Sequence, residues 1–166
     1  MVRSFKSVPM AASIVPDTDA QRRRQRWLSL LAKAPAERLE ALWAEVGPVP
    51  AYTILRRPEI GLVMVKGRIS GSGAPFCAGE MTVTRAAVRL DSGEMGFGYV
   101  GGRRPRQAEI VAAIDALGQK PDWQQSLEDK VVTPLAHEAE SRQQLVKARA
   151  AATKVDFFTV AREAGT

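Results

Sequence analysis

Apolar residues recur at helical spacing near both ends of this chain and at strand spacing between them. Trp27, Leu30, Leu31 and Ala34 fall at i, i+3, i+4 and i+7, the stripe of an amphipathic helix. Thr18 and Gln21 precede it with capping-box spacing, so the helix is expected to open at Asp17-Thr18-Asp19. Pro35 suits the first turn of a second helix, whose stripe is Leu39, Leu42, Trp43 and Val46 and whose stop is Gly47-Pro48. From Ala51 the period changes. Ala51–Arg57 reads as a strand, Arg57-Pro58-Glu59 as a turn and Ile60–Ile69 as a second strand, apolar on both faces at Leu62-Val63-Met64-Val65.

Residues 70–75 form a glycine-containing connection without the spacing or lysine of a phosphate-binding loop. Phe76–Leu90 and Met95–Val100 follow as strands joined by the turn Asp91-Ser92-Gly93. A third helix begins at Pro105, with Ile110, Val111, Ile114 and Leu117 as its buried stripe and Gly118 as its end. Trp123–Val132 reads as a short helix closed before Pro134. Leu135–Thr153 reads as a long polar one with a thin apolar seam, the kind that leans on a partner. The tail Val155–Val160 is apolar and is expected to dock, either into the core or into another subunit.

This order predicts an α+β fold: an antiparallel sheet of about four strands flanked by N-terminal and C-terminal helices. Residues 1–17 are expected as a disordered leader. Residues 18–166 then form one domain, with helices over 19–46, sheet over 51–101 and helices over 105–162. Met1–Val15 resembles a poor export signal interrupted by prolines and is not read as one. No run of about 18 apolar residues occurs, so no membrane partner is expected.

The net charge of +6 changes the picture only when it is divided. Residues 1–33 hold seven basic and two acidic residues, and residues 56–106 hold nine and four. The remaining stretches are mildly acidic. A cationic sheet suits a phosphate-bearing small molecule or an acidic protein surface at least as well as a polynucleotide. Arg22-Arg23-Arg24 and Arg26 are read as a solvated face, with RNA or DNA binding as the alternative.

Cys77 is the only cysteine and His137 the only histidine, so neither a disulfide nor a metal centre owned by this chain is expected. His137 reads as a surface residue, Cys77 as a small buried one, and Trp27 and Trp43 as core anchors. No activated nucleophile or carboxylate pair stands out, and no catalytic residue is assigned.

The candidates for binding substrate or a partner lie in and around the last two strands. Arg85 and Arg89, four apart, share a strand face at about 13 Å separation. Two guanidinium groups there can clamp phosphate or carboxylate. Arg103 lies just before the Pro105 helix, whose free amides favour an anion. Glu80 sits between Gly79 and a strand, with a structural role as its plainer reading. Gly96 and Gly98 alternate with Met95, Phe97 and Tyr99, leaving one bare strand face that another backbone or a ligand could approach.

The stretch PFCAGEMTVTRAAVRLDSGEMGFGYVGGRRPRQAEIVAAIDAL, with a terminal KVDFFTVAR, is similar to the G subunit of the carbon–phosphorus lyase core complex, the PhnG family. The segments RQRWLSLLAKAPAERLEAL and RRPEIGLVMVKGRISGSG extend the likeness to nearly the whole chain from about Arg22. The family often has an acidic residue where Arg104 stands, which leaves open whether Arg104, beside Arg103 at the start of the Pro105 helix, belongs to a shared site. The resemblance implies a cytoplasmic bacterial protein that assembles with the H, I and J subunits. Together with H, I and the ATPase-like L subunit, it would be required for alkylphosphonate to displace adenine from ATP. The family assigns no catalytic residue to this subunit. ATP, with magnesium, would be a substrate of the complex and not a cofactor held by this chain. An autonomous phosphate-ligand transferase and a nucleic-acid-binding module are the competing readings.

Overall fold

The computed structural model describes residues 18–68 and 73–153, so the expected leader and the apolar tail lie outside the described residues. The element order is α1 (Asp19–Lys33), α2 (Ala36–Val46), β1 (Tyr52–Gly67), β2 (Phe76–Leu90), β3 (Met95–Gly101), α3 (Pro105–Leu117), α4 (Pro121–Leu127) and α5 (Thr133–Ala152). The fold is α+β, with one antiparallel sheet in the order β1-β2-β3.

The sheet has three strands, in keeping with the expected about four, and the turn expected at Arg57-Pro58-Glu59 is absent because β1 runs straight through it. That segment is a bulge, seen as register shifts between Ile54, Arg56 and Glu59 against β2. Proline is compatible with this place because β1 is an edge of the sheet, where a missing N–H breaks no ladder. The β1–β2 pair is also much longer than β3. Its outer part, Leu62–Gly67 with Phe76–Thr82, reaches past the three-stranded part as a two-stranded arm.

Helix α3 covers one face of the three-stranded part. Ala86, Val88, Leu90 and Val100 meet Ala108, Ile110, Val111, Ala112 and Ile114 in the core, which α1, α2, α4, the turn Glu128–Val132 and the start of α5 close with Trp27, Leu31, Leu39, Leu42, Leu127, Val131 and Leu135. Trp43 packs against the same core. The caps follow the sequence: the Gln21 amide donates to Thr18 Oγ1 at 3.2 Å and the Thr18 amide donates to Gln21 Oε1 at 2.7 Å. At the other end of α1, buried Gln107 donates to the carbonyls of Leu31 (3.1 Å) and Ala34 (3.0 Å). It thereby satisfies groups that a helix end leaves open.

The short helix expected to close before Pro134 does not close. A π-helical turn, Glu128–Val132, joins α4 to α5 and carries Pro134 into the first turn of α5. Proline lacks the N–H that an uninterrupted α-ladder would need there, and the wider turn absorbs the break. Beyond Leu135, α5 buries none of its described residues, and Leu145 and Val146 stand exposed.

Candidate interaction surface

The sheet face away from α3 is open, and its side chains follow from strand parity. On β3 the positions alternate strictly: Gly96, Gly98 and Val100 are buried, while Met95, Phe97 and Tyr99 are exposed. The glycines therefore do not form the open surface expected of them. A Cβ on Gly98 would lie 1.8 Å from the Ala108 carbonyl oxygen, and one on Gly96 would lie 2.0 Å from that of Ala112. Their bareness serves the chain's own helix, which packs backbone to backbone on β3. The outward side is the large one.

Across the open face, β2 contributes Arg85, Ala87 and Arg89, opposite Tyr99, Phe97 and Met95 respectively. Val83 and Ala87 are buried on this side, beneath the larger neighbours and outside the main core. Arg85 and Arg89 do share a face, as expected. Arg85, however, is engaged within the chain: its guanidinium donates to Glu59 on β1 at 2.8 Å, and Glu59 also receives Arg56 at 3.4 Å. The pair is part-exposed and contributes little to stability. Arg85 Nε is shielded from solvent and has no acceptor among the described residues. Arg89 is exposed and forms no ion pair among them.

Arg103 leaves β3 at the Arg85 end of the sheet, since Gly101 pairs with Val83. The turn is fixed by Thr84, whose hydroxyl donates to the Gly102 carbonyl at 2.6 Å and accepts from the Arg104 amide at 3.0 Å. Glu80 is exposed on the arm opposite Met64. Strand parity puts it on the other face from Arg85, so the two do not form one site.

The arm carries a cluster of uncovered apolar side chains. Leu62 is 63% and Met64 67% exposed, with Val65, Phe76 and Met81 also open and Ile60 open at its base. Cys77, expected to be buried, is exposed there, its sulfur 3.4 Å from that of Met64. The arm lies beyond the helical layer, so nothing described in this chain can bury it. His137 is exposed, as expected. Among the described residues no group of three or more His, Cys, Asp or Glu side chains could hold a metal, and no helix is long and apolar enough to cross a membrane.

Asp115 is the polar residue the sequence reading missed. It lies in the apolar stripe of α3 with a nearly inaccessible carboxylate that accepts both Arg24 nitrogens at 2.7 Å and the Phe97 amide at 2.8 Å. The hydrogen bond to Asp115 raises the Arg24 pKa further above its ordinary value, against the effect of partial burial. A charged residue inside AIDAL was the available signal. Asp115 and Arg24 border a cavity of about 240 Å³ floored by Trp27, Leu31 and Ile114. Their charges satisfy each other, which marks a structural joint. At Tyr52 burial acts in the other direction: burial, and then the Glu109 carboxylate accepting its hydroxyl at 3.0 Å, raise its pKa. A hydrogen bond from Ser92 lowers that of exposed Glu94.

Residues 22–163 match the family described as phosphonate metabolism protein PhnG. The chain is 39% identical over 156 residues to the alpha-D-ribose 1-methylphosphonate 5-triphosphate synthase subunit PhnG of Rhizobium meliloti (strain 1021), covering 92% of this chain and 97% of that protein. This chain belongs to the PhnG family of phosphonate metabolism proteins.

Proposed function

We propose that this chain is a non-autonomous subunit of a synthase that makes alpha-D-ribose 1-methylphosphonate 5-triphosphate. In that reaction a phosphonate oxygen bonds to C1′ of the ATP ribose, the bond from C1′ to adenine breaks, and adenine leaves as the base. The relative's name supports the product. The partners are the H, I and J subunits of the core complex, with the L subunit joining for the transfer step. ATP, with magnesium, belongs to the assembled complex, and the work is done in the cytoplasm, where ATP is held.

The observation that carries the reading is the uncovered sheet face, with Met95, Phe97 and Tyr99 in one row beside Arg85 and Arg89. Aromatic and methionine side chains between arginines have the composition of an interface centre. The unsatisfied Arg85 Nε adds a donor for a carboxylate or phosphate oxygen that arrives with a partner or substrate. Arg89, Arg103 and Glu80 complete the candidate contacts.

Co-expression of the full chain with the I subunit provides the test. The two are expected to purify together, and the reconstituted complex is expected to release adenine from ATP and methylphosphonate only when this chain is present. Adenine release by the chain alone would favour an autonomous transferase. Failure to purify with the I subunit, or an active complex lacking this chain, would defeat the proposal.

A further inference from the structure

The two edges of the sheet are treated differently by the chain. The β3 edge is blocked: the Phe97 amide donates to Asp115 and the Met95 carbonyl accepts from Gln119 at 2.6 Å. The β1 edge has no counterpart. Over Glu59–Val65 its pairing with β2 is regular, and no described element lies along its other side. Native proteins protect a free edge with charge, proline or a bulge. Ile60-Gly61-Leu62-Val63-Met64-Val65 contains none of these; Pro58 and one bulge lie before it, and Lys66 and a second register shift after it.

The direction of the backbone groups follows from the ladder. Phe97 N–H points away from β2, and the Gly102 amide reaches the Thr82 carbonyl. Alternation then turns odd-numbered β2 residues toward β1. With Arg85 opposite Glu59 and Gly79 opposite Val65, odd β1 residues bond to β2, and Ile60, Leu62 and Met64 present their N–H and C=O groups outward. A regular edge about 20 Å long therefore combines free backbone groups with exposed apolar side chains.

We infer that the β1 edge over Glu59–Val65 is completed by an extended apolar segment of a different subunit, flanked by acidic residues and added as a fourth strand. The inference rests on the proposed function, which supplies other subunits. The charge pattern selects the occupant. Arg56, Arg57, Lys66 and Arg68 bracket the apolar run, and the nearby Glu59 is already held by Arg85. Two copies of β1 paired antiparallel about Leu62 would bring Lys66 and Arg68 alongside Arg56 and Arg57, and like charges across strands repel. A strand with Asp or Glu at its ends meets the same four cations favourably.

Hydrogen exchange on the full chain, alone and in the complex with its partner subunits, tests the inference. The amides of Ile60, Leu62 and Met64 are expected to exchange freely in the isolated chain and at least about tenfold more slowly in the complex. Leu62→Pro removes one outward N–H without touching the β2 ladder, so the isolated variant should keep its circular dichroism while complex recovery falls about tenfold. Lys66→Glu with Arg68→Glu should weaken recovery likewise. Protection of these amides already in the isolated chain would overturn the inference, because the edge would then be covered from within or by a second copy. Unchanged exchange in a complex that does form would overturn it and leave the proposed function standing. Absence of any complex would overturn both.

Discussion

Asp115 holds Arg24 through two hydrogen bonds of 2.7 Å and the Phe97 amide through a third of 2.8 Å. One buried carboxylate thus ties α3 to α1 and to the edge of β3. Asp115→Ala would leave a buried amide and a guanidinium without their acceptor. The expected loss is about 2–3 kcal/mol in urea unfolding, because orphaned donors cost more than the bond itself contributes. The Arg24 pKa is raised, so its contribution is present below its unfolded value and is lost only as pH rises through the higher folded one. No slope from this arginine is expected between pH 6 and 9, far below the range where arginine titrates.

Gly98 and Gly96 set the distance between β3 and α3. A Cβ at Gly98 has no room beside the Ala108 backbone, so Gly98→Ala is expected to cost about 3 kcal/mol or more. For a chain of this size that corresponds to a thermal midpoint lower by about 6–12 °C. A Gly98→Ala protein with an unchanged midpoint would mean that the helix does not pack on this strand.

Tyr52 gives a pH signature. Its pKa is raised by burial and by the bond to Glu109, so the folded state keeps the phenol proton longer than the unfolded chain. Stability from this group is present below the ordinary tyrosine pKa and is lost as pH rises through the raised one. Urea midpoints measured from about pH 9 to 11.5 should fall in the parent and fall less steeply in Tyr52→Phe.

Phe97 and Tyr99 face outward, each about half exposed (50% and 48%). Substituting either by Ser is expected to change stability by about 1 kcal/mol or less, the scale of a cross-strand pair. Co-purification with partner subunits should fall markedly. Stability and assembly dropping together would place these side chains in the chain's own core.

Arg89 distinguishes a substrate contact from a partner contact. Arg89→Ala should leave the isolated chain's melting unchanged, since the side chain is exposed. If it binds a phosphate oxygen, the assembled complex forms normally and its KM for ATP or methylphosphonate rises. If it pairs with a partner's carboxylate, recovery of the complex falls and the KM of what remains is unaltered.

Much of this protein was legible from its own spacing. The stripes through Trp27 and Leu39, the Thr18–Gln21 cap, the turn at Asp91–Gly93 and the glycine alternation on β3 are local patterns, and local chemistry fixes them. The α+β order and the shared face of Arg85 and Arg89 follow from periodicity alone. Which face of β3 stays open was not written there. Bare glycines admit a neighbour, and only the packing of α3 decides that the neighbour belongs to the same chain. The exposure of Cys77 and the passage of a strand through Pro58 escape local pattern for the same kind of reason. Their apolar or turn-forming character is intrinsic, whereas the length of the arm, its lack of a helical cover and the bulge that lets β1 pass proline depend on contacts between elements distant in sequence. The joint at Asp115 is such a contact too: 91 residues separate it from Arg24, and no local pattern joins them.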